Sequence, residues 1–245
     1  MHHFFVQEQP VGDTVIITGT DVNHIKNVLR MKIGEQLLIS SPDGIDYLCI
    51  IRELTGEQVL AEIIEADEEG RELSARLHLF QGLPKSDKME LIIQKAVELG
   101  ASEIIPVSMH NCVVRLDDKK EPAKRKRWEG ISESAAKQSK RSVIPAIHPL
   151  MSYKEALEYA SHMDLVLVPY ECARGMEETK EAFALVKPGM DIGIFIGPEG
   201  GFTEEEITQA LAEGGRPISL GKRILRTETA GLAVLSALML QLEME

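Results

Sequence analysis

Ile192-Gly193-Ile194-Phe195-Ile196-Gly197-Pro198-Glu199-Gly200-Gly201-Phe202-Thr203-Glu204-Glu205-Glu206 is the stretch that decides the fold. An apolar strand runs into a tight glycine turn and leaves it as a capped helix. In an open α/β sheet a ligand binds beyond the carboxyl ends of the strands, and glycines there let it approach the main chain. The corner lacks the Gly-Lys-Ser/Thr of one phosphate loop and the Gly-x-Gly-x-x-Gly of another. The three glutamates opening the helix would repel a phosphate, so a neutral or cationic ligand is expected. The plainer reading is that Gly197, Gly200 and Gly201 only turn a corner.

Outward from this corner, strands alternate with longer helices, the pattern of an α/β domain with a mostly parallel sheet. Strand-like runs cover Arg76 to Gln81, Glu103 to Val107, Asp164 to Tyr170, Asp191 to Gly197 and Pro217 to Leu220. Helical stretches cover Ser86 to Leu99, Pro122 to Ser139, Ser152 to Ser161, Met176 to Leu185, Thr203 to Ala212 and Thr227 to Leu242. Ser152 with Glu155 and Thr203 with Glu206 fit the capping box, in which each side chain satisfies an orphan backbone donor.

The opening part of the chain reads differently. Short β-rich runs, His3 to Gln7, Thr14 to Thr18, Gln36 to Ser40, Asp46 to Leu54 and Gln58 to Glu65, are separated by turn signals and predict a small barrel. One helix interrupts it, from about Asp21 to Met31, with Val22, Ile25, Val28 and Leu29 on one face and His24, Lys26 and Arg30 around the other. Glu65 to Glu72 reads as a linker, which divides the chain into residues 1–72 and 73–245.

The 245 residues carry a formal charge of −12, with 44% hydrophobic and 27% charged. That balance excludes disorder, collagen and a simple basic nucleic-acid binder. The charge is segregated, however. Arg115 to Pro145 holds ten Lys and Arg against five Asp and Glu, a formal +5 within a remainder of −17. Lys124-Arg125-Lys126-Arg127 sits beside Trp128, the only tryptophan. The cations are expected to meet RNA phosphates, and Trp128 to pack on the core rather than stack on a base.

Cys49, Cys112 and Cys172 are too far apart for a disulfide framework or a zinc site and read as buried thiols of a reducing cytoplasm. The start has no signal-peptide pattern and the least polar tract, Gly231 to Leu240, is too short to span a bilayer, so a soluble cytoplasmic protein is expected.

A second unusual run, Ser219-Leu220-Gly221-Lys222-Arg223-Ile224-Leu225-Arg226-Thr227-Glu228-Thr229-Ala230-Gly231, follows the last strand. A loop this polar, framed by core elements, tends to carry function, although Arg226 and Glu228 read equally as a surface ion pair.

Gly197-Pro198-Glu199-Gly200-Gly201 followed by Leu220-Gly221-x-Arg223-Ile224-Leu225-Arg226-x-Glu228-Thr229-Ala230 closely resembles the SPOUT-class RNA methyltransferases, and within them the ribosomal RNA small subunit methyltransferase E family. The likeness extends over the chain, through Phe4-Phe5-Val6, His24-Ile25-x-x-Val28-Leu29-Arg30-Met31, Lys85-x-x-Lys88-Met89-Glu90, Lys95 to Gly100 and Arg127-Trp128. It implies an N-terminal PUA-like β-barrel for RNA and a C-terminal SPOUT α/β trefoil-knot domain binding S-adenosylmethionine. Three loops would hold that cofactor: Pro169, Tyr170 and Glu171; Gly197, Pro198, Gly200 and Gly201; and Leu220, Gly221, Ile224 and Leu225. The implied reaction methylates N3 of a uridine in 16S ribosomal RNA, with Arg226 stabilising the uracil anion and Glu228 or Glu199 taking the proton. His24, Arg30, Lys85, Lys88, Lys124, Arg125, Lys126 and Arg127 would contact RNA, in the assembled small subunit. No metal is required. A homodimer is implied, with Thr227 to Leu242 as either its contact helix or a core helix. His2 and His3 stand where the family commonly carries an arginine, and read as a surface pair. The rival readings are a SPOUT enzyme for another RNA atom, such as a ribose 2′-oxygen in transfer RNA, and a non-catalytic RNA-binding assembly factor.

Overall fold

Alternation sets the first sheet: in the strand Thr14–Thr18, Val15 and Ile17 are buried while Ile16 and Thr18 face outward. The computed structural model describes residues 1–42, 44–68, 70–117, 119–170 and 175–244. It forms two units, Met1–Glu72 with Ala136–Ile144, and Leu73–Ala135 with Pro145–Glu245.

In the first unit, β1 (His3–Phe5), β2 (Thr14–Thr18), β3 (Gln36–Ser40), β4 (Asp46–Leu54) and β5 (Gln58–Asp67) pair in the order β1-β3-β4-β5-β2. Phe4, Val15, Ile17, Leu37, Ile39, Ile51 and Val59 fill its core. Irregular register between β4 and β5, at Leu48/Cys49 and Ile51/Glu53, curls the sheet as bulges do. Among the described residues the edge strands β1 and β2 are not paired with each other, so the barrel is an open half-barrel.

The expected helix is shorter and wider. α1 (Thr20–Asn23) passes into a π-turn over His24–Val28, where the Leu29 N–H bonds the His24 carbonyl at 2.9 Å. The wider turn rotates Val28 outward to 62% exposure while Val22 and Ile25 stay buried. Arg30, at φ +54°, ends it before Met31.

The linker reading also changes. β5 runs on to Asp67, and the Glu72 carboxylate accepts from Arg141 Nε and from the Ser142 N–H at 3.0 Å. Ser142 Oγ donates to Asp46 Oδ2 at 2.9 Å. These bonds join Ala136–Ile144 to the first unit, a return that a boundary at residues 72 and 73 does not contain. His3 is a further correction. It is buried, 2.7 Å from Ser40 Oγ, which in turn donates to Asp46. Burial holds its imidazole below the usual range. His2 alone is exposed.

In the second unit the elements are β6 (Arg76–Gly82), α2 (Lys88–Glu98), β7 (Ala101–Ser108), α3 (Glu121–Ser139), β8 (Ala146–Ile147) and β9 (Met151–Ser152). They continue with α4 (Tyr153–Ala160), β10 (Leu165–Pro169), α5 (Glu177–Phe183), β11 (Asp191–Ile196), α6 (Glu204–Ala212), β12 (Arg216–Ile218) and α7 (Thr227–Glu243). The last residues of α3, from Ala136, belong to the first unit. The strands are parallel, in the order β12-β10-β11-β6-β7-β8, with β9 also on β7. Among the described strands of this unit only β8 and β9 were not legible, being too short to show a period.

Phe80 of β6 stacks on Phe195 of β11 with ring centroids 4.3 Å apart. Gly193 makes room beside them, since a Cβ there would lie 2.9 Å from Met163 Sδ. Trp128 is buried, as read. α7 buries Gly231, Val234, Leu235, Leu238 and Leu242 along one stripe and packs on α2, β11 and β6. β12 lies beyond β10 at the sheet edge, so the run between β12 and α7 carries the chain back past β10. Cys49 and Cys112 are buried and unpaired; Cys172 lies outside the described residues. Among the described residues no helix is long and apolar enough to cross a membrane.

Candidate active site

The carboxyl ends of β10, β11 and β12 present three loops, and a cavity of about 510 Å³ opens among them. The corner after β11 is set by a turn in which the Gly201 N–H bonds the Pro198 carbonyl at 2.9 Å. Gly201 there takes φ +68°, which favours glycine. Asn111 Nδ2 donates to the Gly200 and Gly201 carbonyls, each at 3.1 Å. A Cβ on Gly200 would stand 2.8 Å from the Asn111 Cβ, and one on Gly82 would stand 2.8 Å from both Pro198 Cδ and Pro198 N. The corner is therefore packed from two sides by segments remote in sequence.

Thr203 and Glu206 form the expected capping box. Glu206 does more than the sequence reading gave it. It is buried, its Oε1 accepts the His110 N–H at 2.8 Å, and its backbone carbonyl accepts from the Tyr153 hydroxyl at 2.7 Å. Of the three glutamates only Glu204 and Glu205 are exposed charges.

The loop after β12 is anchored at Ser219, whose N–H donates to Thr179 Oγ1 and whose carbonyl accepts from the same hydroxyl, both at 2.9 Å. Gly221, at φ +100°, turns it. The loop ends where Thr227 opens α7. The Thr227 hydroxyl donates to the Gly197 carbonyl at 2.7 Å and accepts from Gln81 Nε2 at 2.8 Å.

Pro169, Tyr170, Gly197, Pro198, Gly200, Gly201, Leu220, Gly221, Ile224 and Leu225 all line the cavity. Glu171 lies outside the described residues. Glu199, Lys88 and Arg226 line it too, whereas Glu228 does not and pairs with Lys88. Lys88 Nζ is 3.0 Å from Glu199 Oε1 and 3.2 Å from Glu228 Oε2. The Lys85 N–H also donates to Glu199 Oε1, at 3.0 Å. Burial alone would raise the Glu199 carboxyl, but the Lys85 N–H and the Lys88 ammonium outweigh it and hold it below the usual carboxylate range. Arg226 Nη1 is 3.9 Å from Glu228 Oε1 and its side chain is 81% exposed.

Sequence reasoning assigned Lys88 to RNA and missed Gln81, Asn111 and Thr179, because nothing local marks a residue that reaches the site across the sheet. The other expected RNA residues are not gathered at the cavity. His24 and Arg30 are exposed in the first unit. Lys85 is exposed, while on α3 Arg127 pairs with Glu90 at 2.8 Å and Arg125 lies 3.5 Å from Glu121.

Comparison with known proteins decides the family. The RNA methyltransferase domain family matches residues 71–239, and the RNA methyltransferase PUA domain family matches residues 17–64. The ribosomal RNA small subunit methyltransferase E of Bacillus subtilis (strain 168) is 40% identical over 251 residues, covering 100% of this chain and 98% of that protein. The chain belongs to the ribosomal RNA small subunit methyltransferase E family. The protein of that name from Mesomycoplasma hyopneumoniae (strain 232) is 37% identical, covering 96% of this chain and 98% of its own length. Among solved structures, the methyltransferase E of Neisseria gonorrhoeae bound to S-adenosyl methionine superposes with a TM-score of 0.83 at 31% identity, covering 98% of each chain. This methyltransferase E family member thus joins a PUA-like half-barrel to a parallel α/β methyltransferase domain.

Proposed function

We propose that this chain transfers a methyl group from S-adenosylmethionine to N3 of a uridine in 16S ribosomal RNA. The observation that carries the reading is the meeting of the glycine corner with the loop of Arg226 around one cavity that has a carboxylate, Glu199, in its wall and an exposed cation at its rim.

The lining suits that donor. Pro169, Ile196, Leu220 and Leu225 offer apolar surface for a nucleoside, and Glu199 offers a carboxylate to a cationic group. Open space stands where a Gly221 Cβ would be, which leaves the main chain of that loop approachable. When bound, S-adenosylmethionine supplies an electrophilic methyl group.

The chain's own residues handle the uracil. N3 of the neutral base carries a proton that must leave as the new N–C bond forms. Glu199 Oε1 already accepts two hydrogen bonds, and its carboxyl is held below the usual range. Glu228 or Glu199 takes or relays the proton. Arg226 stabilises the negative charge that develops on the ring, and its exposure leaves the guanidinium accessible to RNA.

On this reading residues 1–72, with His24 and Arg30, bind RNA, and residues 73–245 carry the transfer. Lys85 and the cluster Lys124, Arg125, Lys126 and Arg127 contact RNA phosphates. The protein acts in the cytoplasm as a homodimer, on the assembled small subunit.

In vitro methylation of purified small subunits beside naked RNA, followed by nucleoside mass spectrometry, tests the reading. It expects 3-methyluridine, with subunits the better substrate; a ribose 2′-O-methyl product or no product overturns it. Arg226→Ala and Glu228→Gln are each expected to lower turnover about 100-fold with cofactor binding kept by calorimetry. Near-normal turnover in both removes these residues from their roles.

A further inference from the structure

Lys88 opens α2 and spends its ammonium on two carboxylates. With Nζ 3.0 Å from Glu199 and 3.2 Å from Glu228, the two acceptor oxygens stand no more than about 6 Å apart, a separation at which like charges disturb each other's ionisation. A cation between them offsets their repulsion and lets both face the same way. Glu228 has a second cation in Arg226, but at 3.9 Å and with the guanidinium 81% exposed, against 30% for the Lys88 side chain. Lys88 is therefore the close, sheltered counter-ion of Glu228.

A lysine that binds RNA phosphate acts through unspent donors and a released counterion. Lys88 is engaged instead. The hydrogen bond to Glu199 and the pairing with Glu228 hold its ammonium above the usual lysine range against partial desolvation, so it stays charged and serves as no base near neutrality. The turn that launches it is also held in place, by the Lys85 N–H on Glu199 and by Ser86 at φ +56°.

We propose that Lys88 is a positioning residue for methyl transfer: by bridging Glu199 to Glu228 it fixes the orientation of Glu228, and so leaves the Arg226 guanidinium to the RNA. The inference rests on the function proposed above and removes Lys88 from the RNA-contacting set.

Steady-state kinetics over a salt series separates the two roles. K88M is expected to lower kcat about ten-fold or more, with the KM for RNA and its salt dependence nearly unchanged. K88R, which keeps the charge, recovers most of kcat. A raised KM with kcat kept, and a salt slope shallower by about one, identifies a phosphate contact and overturns the proposal. Wild-type kinetics in K88M overturns it too. Titration of the 13C-labelled Glu199 carboxyl in the cofactor-free protein gives a readout independent of turnover. Its midpoint should rise in K88M and return in K88R; an unmoved midpoint counts against the bridge. K88Q is measured in parallel with the same expectations, which keeps the test decisive if K88M does not fold. If the wild-type protein leaves small-subunit RNA unmethylated, the functional reading fails, while the Glu199 titration still decides whether Lys88 holds that carboxylate.

Discussion

The Thr227 hydroxyl donates to the carbonyl of Gly197 at 2.7 Å, and so joins the first residue of the last helix to the first residue of the glycine corner. The same oxygen accepts from Gln81 at the end of β6 at 2.8 Å. One buried side chain thus holds two of the three cavity loops in register, and the residue after it is Glu228.

Removing that hydroxyl tests its role. T227V leaves the half-buried Gly197 carbonyl and one amide hydrogen of the buried Gln81 without this partner, which costs about 1–3 kcal/mol. Urea unfolding should show that loss and calorimetry a weaker affinity for S-adenosylmethionine, both restored by T227S. Wild-type values for T227V in both would reject the tie.

Close packing behind the corner makes a second prediction. G82A puts a methyl where Pro198 Cδ and N stand 2.8 Å away, and backbone cannot yield as a flexible side chain does. A loss of about 1–3 kcal/mol is expected, with cofactor affinity reduced because Pro198 lines the cavity. G12A is the control. Its φ of +61° is strained for alanine, but open space surrounds the position, so it should cost about 1 kcal/mol and leave cofactor affinity unchanged.

At the amino ends of the strands, away from the cavity, His78 lies between two carboxylates. Its Nδ1 is 2.7 Å from Glu103 and its Nε2 2.8 Å from Asp191, so the ring donates from both nitrogens only as imidazolium. Burial alone would lower its affinity for a proton, but the bonds to Glu103 and Asp191 outweigh burial and hold it above the usual range. Its stabilisation is complete below the ordinary histidine value of about 6.5 and is lost as pH rises through the raised native value. The acids act in the opposite sense. Asp191 is brought down to about 2, chiefly by its bond to Arg76. Glu103 is held low by His148, His78 and Tyr159 against burial. Their stabilisation is complete above the ordinary carboxylate range of about 4 and is lost as pH falls through the lowered values. Urea midpoints should therefore peak in mildly acidic buffer and decline on the alkaline side, and H78Q should flatten that decline. An unchanged alkaline limb in H78Q would exclude His78 as its source.

The basic cluster on α3 divides into charges paired with a carboxylate and more accessible ones. Arg127 pairs with Glu90 at 2.8 Å and Arg125 lies 3.5 Å from Glu121, whereas Lys126 is exposed and Lys124 half-buried. Reversing Lys124 and Lys126 should abolish methylation at physiological salt with cofactor affinity unchanged, and neutralising them should reduce the salt slope of RNA binding by about two. R127Q should reduce that slope less. Equal slopes for the neutralised and wild-type proteins would remove the cluster from the RNA surface.

Much of the fold was legible because the signals are local. β2, β3 and β4 lie at the residues where period-two alternation and turn chemistry put them, and both capping boxes formed as read. The cavity loops were legible from glycine spacing and a polar run after a short strand. Val28 was misread because a π-turn changes the angle per residue without any mark in composition. His3 was misread because its burial depends on Ser40, 37 positions away.

Taken alone, the amino-acid sequence determined most of the strands and helices, where the chain turns, and which two loops are unusual in composition, since each of these follows from neighbours a few residues apart. Tertiary structure alone decided which charges meet there. Lys88 became a partner of Glu199 and Glu228, Glu206 became the anchor of the loop at His110, and Gln81 met Thr227, 146 positions away. A side chain's pairing and ionisation are set by the groups that folding brings within a few ångströms, and separation along the chain carries no trace of that distance.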